Sequence, residues 1–429
     1  NFMKLTTLKI QNTLIITHPK IAKKLIMGKN MYDTFNIVAP FATSVEDDAF
    51  INQKVIRYAY MPNLQEVGNN SFYCCQNLRQ VDGDHLKEIG TQAFKNNFHL
   101  ERINVQNVQN LNNNVFELCG LAALASSCGS IADNVIVRNK QLEQLDLENI
   151  KSLNTATLRH CHNIRQVRMP KLEKLIGYLP NNIQVTADSS SIIKKNRQII
   201  DKLDPVYKFR GLDKSILRQF TIKTIDVVHK NVLYCAQFIN QASKGIRAIA
   251  LMNQPIIPKR AFEENHMLKF VYAPNTKIIR DTAFAQCCYL SRFRGNSLQI
   301  IEDMAFAFCF SLTEIDLSRA TRIGEEAFYQ CTSLARVDLC SLKEPLPGHC
   351  FEDCPSLRSV VARNRGDWDE NAFVDCGHVK ITGENEIVRF QEVYVDGFRE
   401  RKKMMKLVGS LRRKARQICK TLELQNNWK

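Results

Sequence analysis

Apolar positions return along this chain every 22 residues, and a phenylalanine marks each return. Phe50, Phe72, Phe94 and Phe116 are spaced by 22; Phe262, Phe284, Phe306 and Phe328 repeat the interval, followed by Phe351 at 23 and Phe373 at 22. Counting each Phe as slot 0, slot 3 is cysteine in Cys75, Cys119, Cys287, Cys309, Cys331, Cys354 and Cys376. Slot 6 is aliphatic (Leu78, Leu100, Leu268, Leu290, Leu312), slot 9 is mostly Val, Ile or Phe, and slot 17 is again aliphatic in most units. The residue before the Phe is small, as in Ala49, Ser71, Ala93, Ala283 and Ala305. Slots 9 and 11 alternate with polar neighbours, as in Ile315-Asp316-Leu317, which is the period-two pattern of a half-buried strand. The small residue and the cysteine lie four apart, so a helical turn would set both on the inner face. Gly90 and Gly324 stand just before that turn, where the chain must reverse.

A fixed period in this range predicts a solenoid, each repeat adding one coil to a stack. Weaker copies fill the gaps: Leu158, Cys161, Ile164 and Val167 occupy slots 0, 3, 6 and 9, and Ile136, Leu142, Leu145 and Leu147 form another coil, shifted by two residues. Ile37, Ala39 and Val45 suggest a degenerate first coil, and Ile246, Ile249 and Leu251 a coil before Phe262. The apolar side chains of one coil cannot offset the entropy of ordering it, so only stacking makes the unit stable and the end coils need caps. The predicted fold is therefore an α/β solenoid with a concave parallel sheet and short helical or irregular convex turns. It divides into a first array over 1–188, a basic connector or cap over 189–239, a second array over 240–383, and a basic amphipathic helix over 384–429.

These residues resemble the BspA-type leucine-rich repeat family, whose unit reads roughly A-F-x-x-C-x-x-L-x-x-V-x-L-P-x-x-L-x-x-I-G. The stretch from Ala305-Phe306 through Cys309, Leu312, Ile315, Leu317 and Ile323 to Gly324 follows it closely. Slot 14, where commoner leucine-rich repeats run an Asn ladder, holds Leu64, Leu86, Leu172, Leu298 and Leu342, so no such ladder is expected. The resemblance covers roughly 300 of 429 residues and implies a curved stack with a parallel concave sheet that binds other proteins.

The net charge of +16 is concentrated outside the repeats. Residues 189–244 carry 11 Lys/Arg against 4 Asp/Glu, and residues 389–429 carry 12 against 4. The repeats are close to neutral, which disfavours a nucleic-acid groove in the solenoid. The 15 cysteines do not read as a disulfide framework, because stacked side chains point the same way and hold their Cβ atoms farther apart than a bridge allows. No secretory segment and no membrane-length apolar run are visible, and a cytoplasmic location is expected, with a secreted or cell-surface one as the alternative.

Catalysis finds little support. His160-Cys161-His162 could offer zinc ligands, but Cys161 is already explained by its slot and no second ligand pair has a fitting spacing. Cys350 and Cys354 are four apart, yet Cys350 simply replaces the small residue before the Phe. Phosphate-loop, nucleophile-elbow and zinc-protease motifs are missing, and neither enzyme activity nor a cofactor is expected.

The concave face is the better candidate. Slots 8 and 10 flank the buried slot 9 and should point outward: Phe270/Tyr272, Arg292/Arg294, Glu314/Asp316 and Arg336/Asp338 in the second array, with Tyr58 and Tyr60 in the first. Arg292, Glu314 and Arg336 are expected in one row of alternating charge, and the aromatic ends to be exposed anchors for a protein partner. The alternative is a peripheral adaptor acting through its tail. There Met404, Val408, Leu411, Ala415, Ile418 and Leu422 form an apolar seam beside Arg401, Lys402, Lys403, Lys406, Arg412, Arg413, Lys414 and Arg416. Such a helix would either cap the last coil or bind an anionic surface: membrane, acidic protein or, less favoured, nucleic acid. In the connector, Ile192, Ile193, Ile199, Ile200 and Leu203 are compatible with a short amphipathic helix before Pro205.

Overall fold

Each 22-residue unit folds as one rung, with a short strand at slots 8–10, a second at slots 16–17 and an arc around the Phe. The structure is a computed structural model that describes residues 6–10, 12–29, 31–189, 192–193, 197–206, 212–213, 227–229, 232–235, 246–363, 368–377 and 379–383. The basic tail expected over 384–429, including Arg401 to Arg416, lies outside the described residues.

In the first array the slot 8–10 strands form a six-stranded sheet from Thr7–Ile10 and Thr13–Ile16 through Asn36–Val38, Tyr58–Tyr60 and Gln80–Asp82 to Arg102–Ile103. A five-stranded sheet continues it, from Ala123–Ser126 through Gln144–Leu147, Gln166–Arg168 and Gln184–Thr186 to Ile199–Ile200. The second array repeats the plan, from Val227–His229, Val232–Cys235 and Ala248–Leu251 to Glu314–Ile315, then a three-stranded sheet from Arg336–Asp338 to Lys380–Thr382. Each array opens with an antiparallel hairpin, and the pairs that follow are parallel. A hairpin covers the open edge that a stack of parallel strands would otherwise expose. The stacking of the second array thus reaches back to Val232, inside the segment read from sequence as connector. Ile199–Ile200 pairs with Val185–Thr186 as a further strand, which corrects the amphipathic helix expected there.

The Phe rings line up in two columns, with centroids 5.0, 5.2 and 5.8 Å apart from Phe50 to Phe116 and 5.1–5.5 Å apart from Phe262 to Phe373. Phe293 stands edge-on between Phe284 and Phe306 and fills the space behind them.

The arc is not the helical turn that the spacing suggests. Residues at slots −2 and +2 are left-handed, as at Met304 (φ 53°) and Phe308 (φ 61°), and the same pair recurs at Asp48 and Asn52. Met304, Phe306 and Phe308 donate their N–H groups to Glu325, Ala327 and Tyr329 of the next rung at 2.9, 2.8 and 2.8 Å, while Ala305 and Ala307 close on their own rung. A helical turn would spend every amide within the rung. Alternating hand sends every second amide across, and these bonds offset the left-handed cost of about 1–2 kcal/mol per residue.

Slot 3 completes this arc. The thiols of Cys75, Cys119, Cys161, Cys287, Cys309, Cys331, Cys354 and Cys376 each donate to the slot 0 carbonyl of the preceding rung at 3.0–3.3 Å. Asn97 and Asn139 replace cysteine at this slot and bridge two carbonyls each, Asn97 reaching Phe72 at 2.9 Å and Phe94 at 2.8 Å. Slot 3 therefore requires a small donor, which cysteine and asparagine both supply. At Gly324 the requirement is space rather than backbone hand: an added Cβ would lie 2.6 Å from the Asp303 nitrogen and 2.7 Å from the Glu302 carbonyl carbon.

The two arrays lie side by side with opposite stacking order, joined through slots 2 to 7. Lys54 pairs with Asp353 at 2.6 Å, Asn77 with Thr332 and Ser333, His99 with Ser311, Tyr289 with the Cys119 carbonyl at 3.2 Å, and Gln141 with the His266 carbonyl at 2.9 Å. At the middle, Phe98 and Phe310, both at slot 4, stack 4.3 Å apart. Arg247 and Glu143 form a buried ion pair near one end. Equivalent slots meeting in reverse order is the relation of a two-fold axis at right angles to both stacks, so the slot 8–10 sheets of both arrays face the same side.

Two outcomes follow for stability. Asn97→Ala strands two buried carbonyls and lowers unfolding free energy by about 1–3 kcal/mol, whereas Asn97→Cys retains most of it, as urea denaturation will read. His99 is buried, its Nδ1 donating to the Gln76 carbonyl at 2.6 Å and its Nε2 accepting from Ser311. Burial first, then Arg79 and also Arg57 and Lys269, lower its pKa from 6.5 to about 3, against the Gln76 hydrogen bond that raises it. The unfolded chain takes up this proton below pH 6.5 while the folded one does not. Stability therefore falls as pH drops from about 6.5 toward 3, by at most about 1.4 kcal/mol per pH unit from this group. Thermal midpoints compared at pH 7 and pH 5 will show the drop, and His99→Gln will flatten it.

Candidate protein-binding face

The shared side of the two sheets carries the slot 8 and slot 10 residues, and their surroundings differ along it. In the second array Arg294, Glu314, Asp316 and Arg336 are exposed, while Arg292 and Asp338 are half-buried. Phe270, Arg292 and Glu314 are in register, and Arg292 Nε lies 3.7 Å from Glu314 Oε2. At that exposure the pair contributes about 0–1 kcal/mol. Arg336 does not extend the row as expected. Its strand belongs to the separate three-stranded sheet and registers with Ser359. Asp316 and Asp338 are partly committed to their own turns, accepting from the Ser318 and Cys340 amides at 3.0 and 3.1 Å.

The aromatic ends are not the exposed anchors expected. Tyr58 and Tyr60 are 5% and 1% exposed, packed in an apolar cluster with Val38 and Ile15. In the preceding rungs slot 10 carries Ile15 and Val38 instead of polar residues, so the patch around Tyr60 is apolar from rung to rung. Phe270 and Tyr272 are half-buried against Val232, Tyr234, Ala248, Ala250 and Leu212, and the Asp213 amide donates to the Tyr234 hydroxyl at 2.8 Å. A connector residue thus covers the aromatic end of the second sheet.

Sequence reasoning missed a column of glutamines on the first array. Gln144, Gln166 and Gln184 share slot 8 of successive rungs, with Gln198 beside them, and their amides join at 2.9, 2.8 and 2.6 Å. At slot 10, Arg168 bridges Asp146 and Asp188 at 3.1 Å each, and although burial works against it these carboxylates hold its pKa up. The signal was present, because one residue type recurs at one outward slot, but outward slots were read for charge and aromaticity alone.

At the cysteine-centred candidates the thiols are held in the interior of the rungs. Cys161 donates to the Ile136 carbonyl, its pKa pushed up to about 12 by burial, and the rings of His160 and His162 meet edge-on with centroids 5.9 Å apart. Cys350 and Cys354 are buried thiols whose pKa values burial raises well above the ordinary range. Among the described residues no group of three His, Cys, Asp or Glu could hold a metal ion, and no helix is long and apolar enough to cross a membrane.

Six copies of a family model described as the BspA type leucine rich repeat region match residues 3–122, 65–182 and 255–380. Among solved structures, a leucine-rich repeat protein from Bacteroides ovatus is 18% identical, over 80% of this chain and 87% of its own, with a TM-score of 0.29. A leucine rich cell surface protein from Faecalibacterium prausnitzii is 18% identical, over 84% of this chain and 94% of its own, with a TM-score of 0.31. A leucine-rich repeat protein from Eubacterium ventriosum is 13% identical, over 87% and 80%, with a TM-score of 0.27. No curated protein matches the sequence.

The burial pattern separates structural from surface residues on this face. Tyr60→Ala will cost about 3 kcal/mol or more in urea denaturation, as expected for a fully buried ring, while Arg294→Ala will stay within about 0.5 kcal/mol.

Proposed function

The chain belongs to the BspA-type leucine-rich repeat family, whose members are generally protein-interaction scaffolds, and on that premise we propose that it is a non-catalytic scaffold binding a protein partner across its concave face. The observation that carries this reading is the docking of the two arrays, which turns two narrow sheets into one broad face with a rigid seam beneath it. Rungs hold their backbones through ladders on three sides, so outward residues sit at fixed spacings set by the strands, about 4.8 Å from rung to rung. A partner meeting such a surface loses little entropy to ordering it.

The exposed charges supply the chemistry. Arg294, Glu314, Asp316 and Arg336 are exposed; Asp316 also closes its own turn and Glu314 faces Arg292, which leaves Arg294 and Arg336 the least tied to the fold. Mixed charges at fixed spacing steer and orient a complementary surface more than they add raw affinity. Arg294 and Arg336, two rungs apart, are the residues on which an acidic patch of the partner would bear.

The test compares three forms of the full chain in quantitative affinity capture from the native source, with partners identified by mass spectrometry. Arg294→Glu with Arg336→Glu will lower recovery of the partner at least tenfold. Lys277→Glu, beside the slot 16–17 strand Ile278–Ile279 in a separate sheet, will leave recovery unchanged. Equal recovery in all three forms would sink the concave-face reading.

A further inference from the structure

The glutamine column of the first array already has an occupant, and its chemistry defines a ligand. A primary amide has two N–H donors and an oxygen with two lone pairs. The ladder along Gln144, Gln166, Gln184 and Gln198 uses one donor per rung and leaves the other available. At two rungs the second donor goes to Asp204. Gln144 Nε2 donates to the Asp204 carbonyl, Gln166 Nε2 donates to its carboxylate Oδ2 at 2.7 Å, and the Asp204 amide donates to Gln166 Oε1 at 2.9 Å.

Two glutamines thereby read the backbone donor, the backbone acceptor and the side chain of one aspartate. The next residue is Pro205, which has no N–H to satisfy and holds the chain extended. Gln166 is 5% exposed with the segment in place, and its amide is also held from both sides by Gln144 and Gln184.

The occupant itself is loosely built in. Asp201, Lys202, Asp204 and Pro205 are exposed. Asp204 makes these three hydrogen bonds, while the guanidinium of Arg168 is shared between Asp146 and Asp188. The neighbouring Ile199–Ile200 is held by strand pairing, so release of Asp204 need not open the stack.

We infer that the glutamine column is a recognition site for an extended Asp-Pro segment of a partner protein, and that residues 201–206 fill it as a tethered competitor. This rests on the reading of the concave faces as protein-binding. It adds the chemical kind of the partner's segment and a reason for the site to be selective: attached to the chain, Asp204 competes at high effective concentration, and a partner must present the same groups to displace it. An Asn at that position keeps the backbone contacts but sets an N–H or an uncharged oxygen where the carboxylate lies.

The experiment uses a free peptide, Asp-Lys-Leu-Asp-Pro-Val, matching residues 201–206, and saturation-transfer NMR with the full-length protein. Asp204→Ala protein will bind the peptide at least tenfold more tightly than the wild type, with transfer strongest at the second Asp and the Pro. Adding Gln166→Ala will reverse the gain by tenfold or more. Gln166→Glu, which keeps the side chain's shape and sets carboxylate against carboxylate, will give the same loss should the alanine variant not fold. A peptide with Ala for its second Asp will not bind. The inference is overturned by a peptide that ignores the Asp204→Ala protein, or by binding indifferent to residue 166. Because the charge reversals at Arg294 and Arg336 lie on the other array, peptide failure with partner capture intact removes this inference alone, and the converse result removes the capture reading alone.

Discussion

Each rung is finished by its neighbour, and that dependence governs the molecule. A coil of 22 residues buries its Phe and slot 6, 9 and 17 side chains against the rungs on either side. Its backbone would be left with unpaired donors and acceptors in that interior, each costing about 1–3 kcal/mol. The left-handed residues at slots −2 and +2 turn alternate amides outward to the next rung, and the slot 3 donor takes the slot 0 carbonyl of the rung before. Left-handed backbone is used at non-glycine positions such as Thr282 (φ 53°) and Met304 because the ladder it permits is worth more than the local preference. The same logic makes the slot 3 cysteines structural: each is a short donor, and burial raises the pKa values of Cys75, Cys119 and Cys331, keeping them protonated to serve as donors, whereas the hydrogen bond with Cys354 lowers that of Cys376 in the last rung.

Repetition solves the interior but leaves the flank of each stack exposed, and the second array closes the flank of the first. Slots 4 and 5 carry Phe98, His99, Phe310 and Tyr289 where the arrays meet, residues too apolar or too large for a free arc. Several polar groups at this seam are matched across it, which fixes the rung-for-rung register that a purely apolar seam would leave free to slip. His99 shows how tightly the register is drawn: its neutral ring is a donor to its own array and an acceptor from the other. The electrostatic surroundings are cationic on both sides, with Arg79, Arg57 and Lys269 near it, so neutrality is the state that the seam requires.

The periodicity of Phe, Cys and slot 6 made the rung, its strands and the buried thiols legible before any coordinates. The pairing of Val227–His229 with Val232–Cys235 was hidden by the shortness of these strands and the surrounding basic composition. The arc was misread because spacing of four between a small residue and a cysteine suits both a helical turn and an alternating-hand arc, and sequence spacing does not report which way an amide points. Exposure of Tyr58 and Tyr60 was misjudged for a different reason. Alternation tells which face of a sheet a residue takes, but not what covers that face, and here it joins Val38 and Ile15. Seam and glutamine column escaped notice because both depend on which rungs meet in space. His99 and Ser311 are 212 residues apart, and no local pattern links them.

The division of labour along the chain bears on how such a scaffold could acquire a partner. Slots 0, 3, 6, 9 and 17 are held by the interior, and slots 4 to 7 by the seam between arrays. Slots 8 and 10 are released from both duties wherever nothing covers them, so they can change without disturbing the stack. The covered stretches are therefore informative: Tyr58 and Tyr60 are buried in an apolar cluster, whereas Gln144 and Gln166 are met by Asp204 of an exposed segment through hydrogen bonds. An apolar seal gains from excluding water and is lost only when the fold opens there. A hydrogen-bonded cover exchanges its partners for water, or for another chain, at small net cost. Between these two stretches, the hydrogen-bonded cover of the glutamine column is the one that costs less to remove.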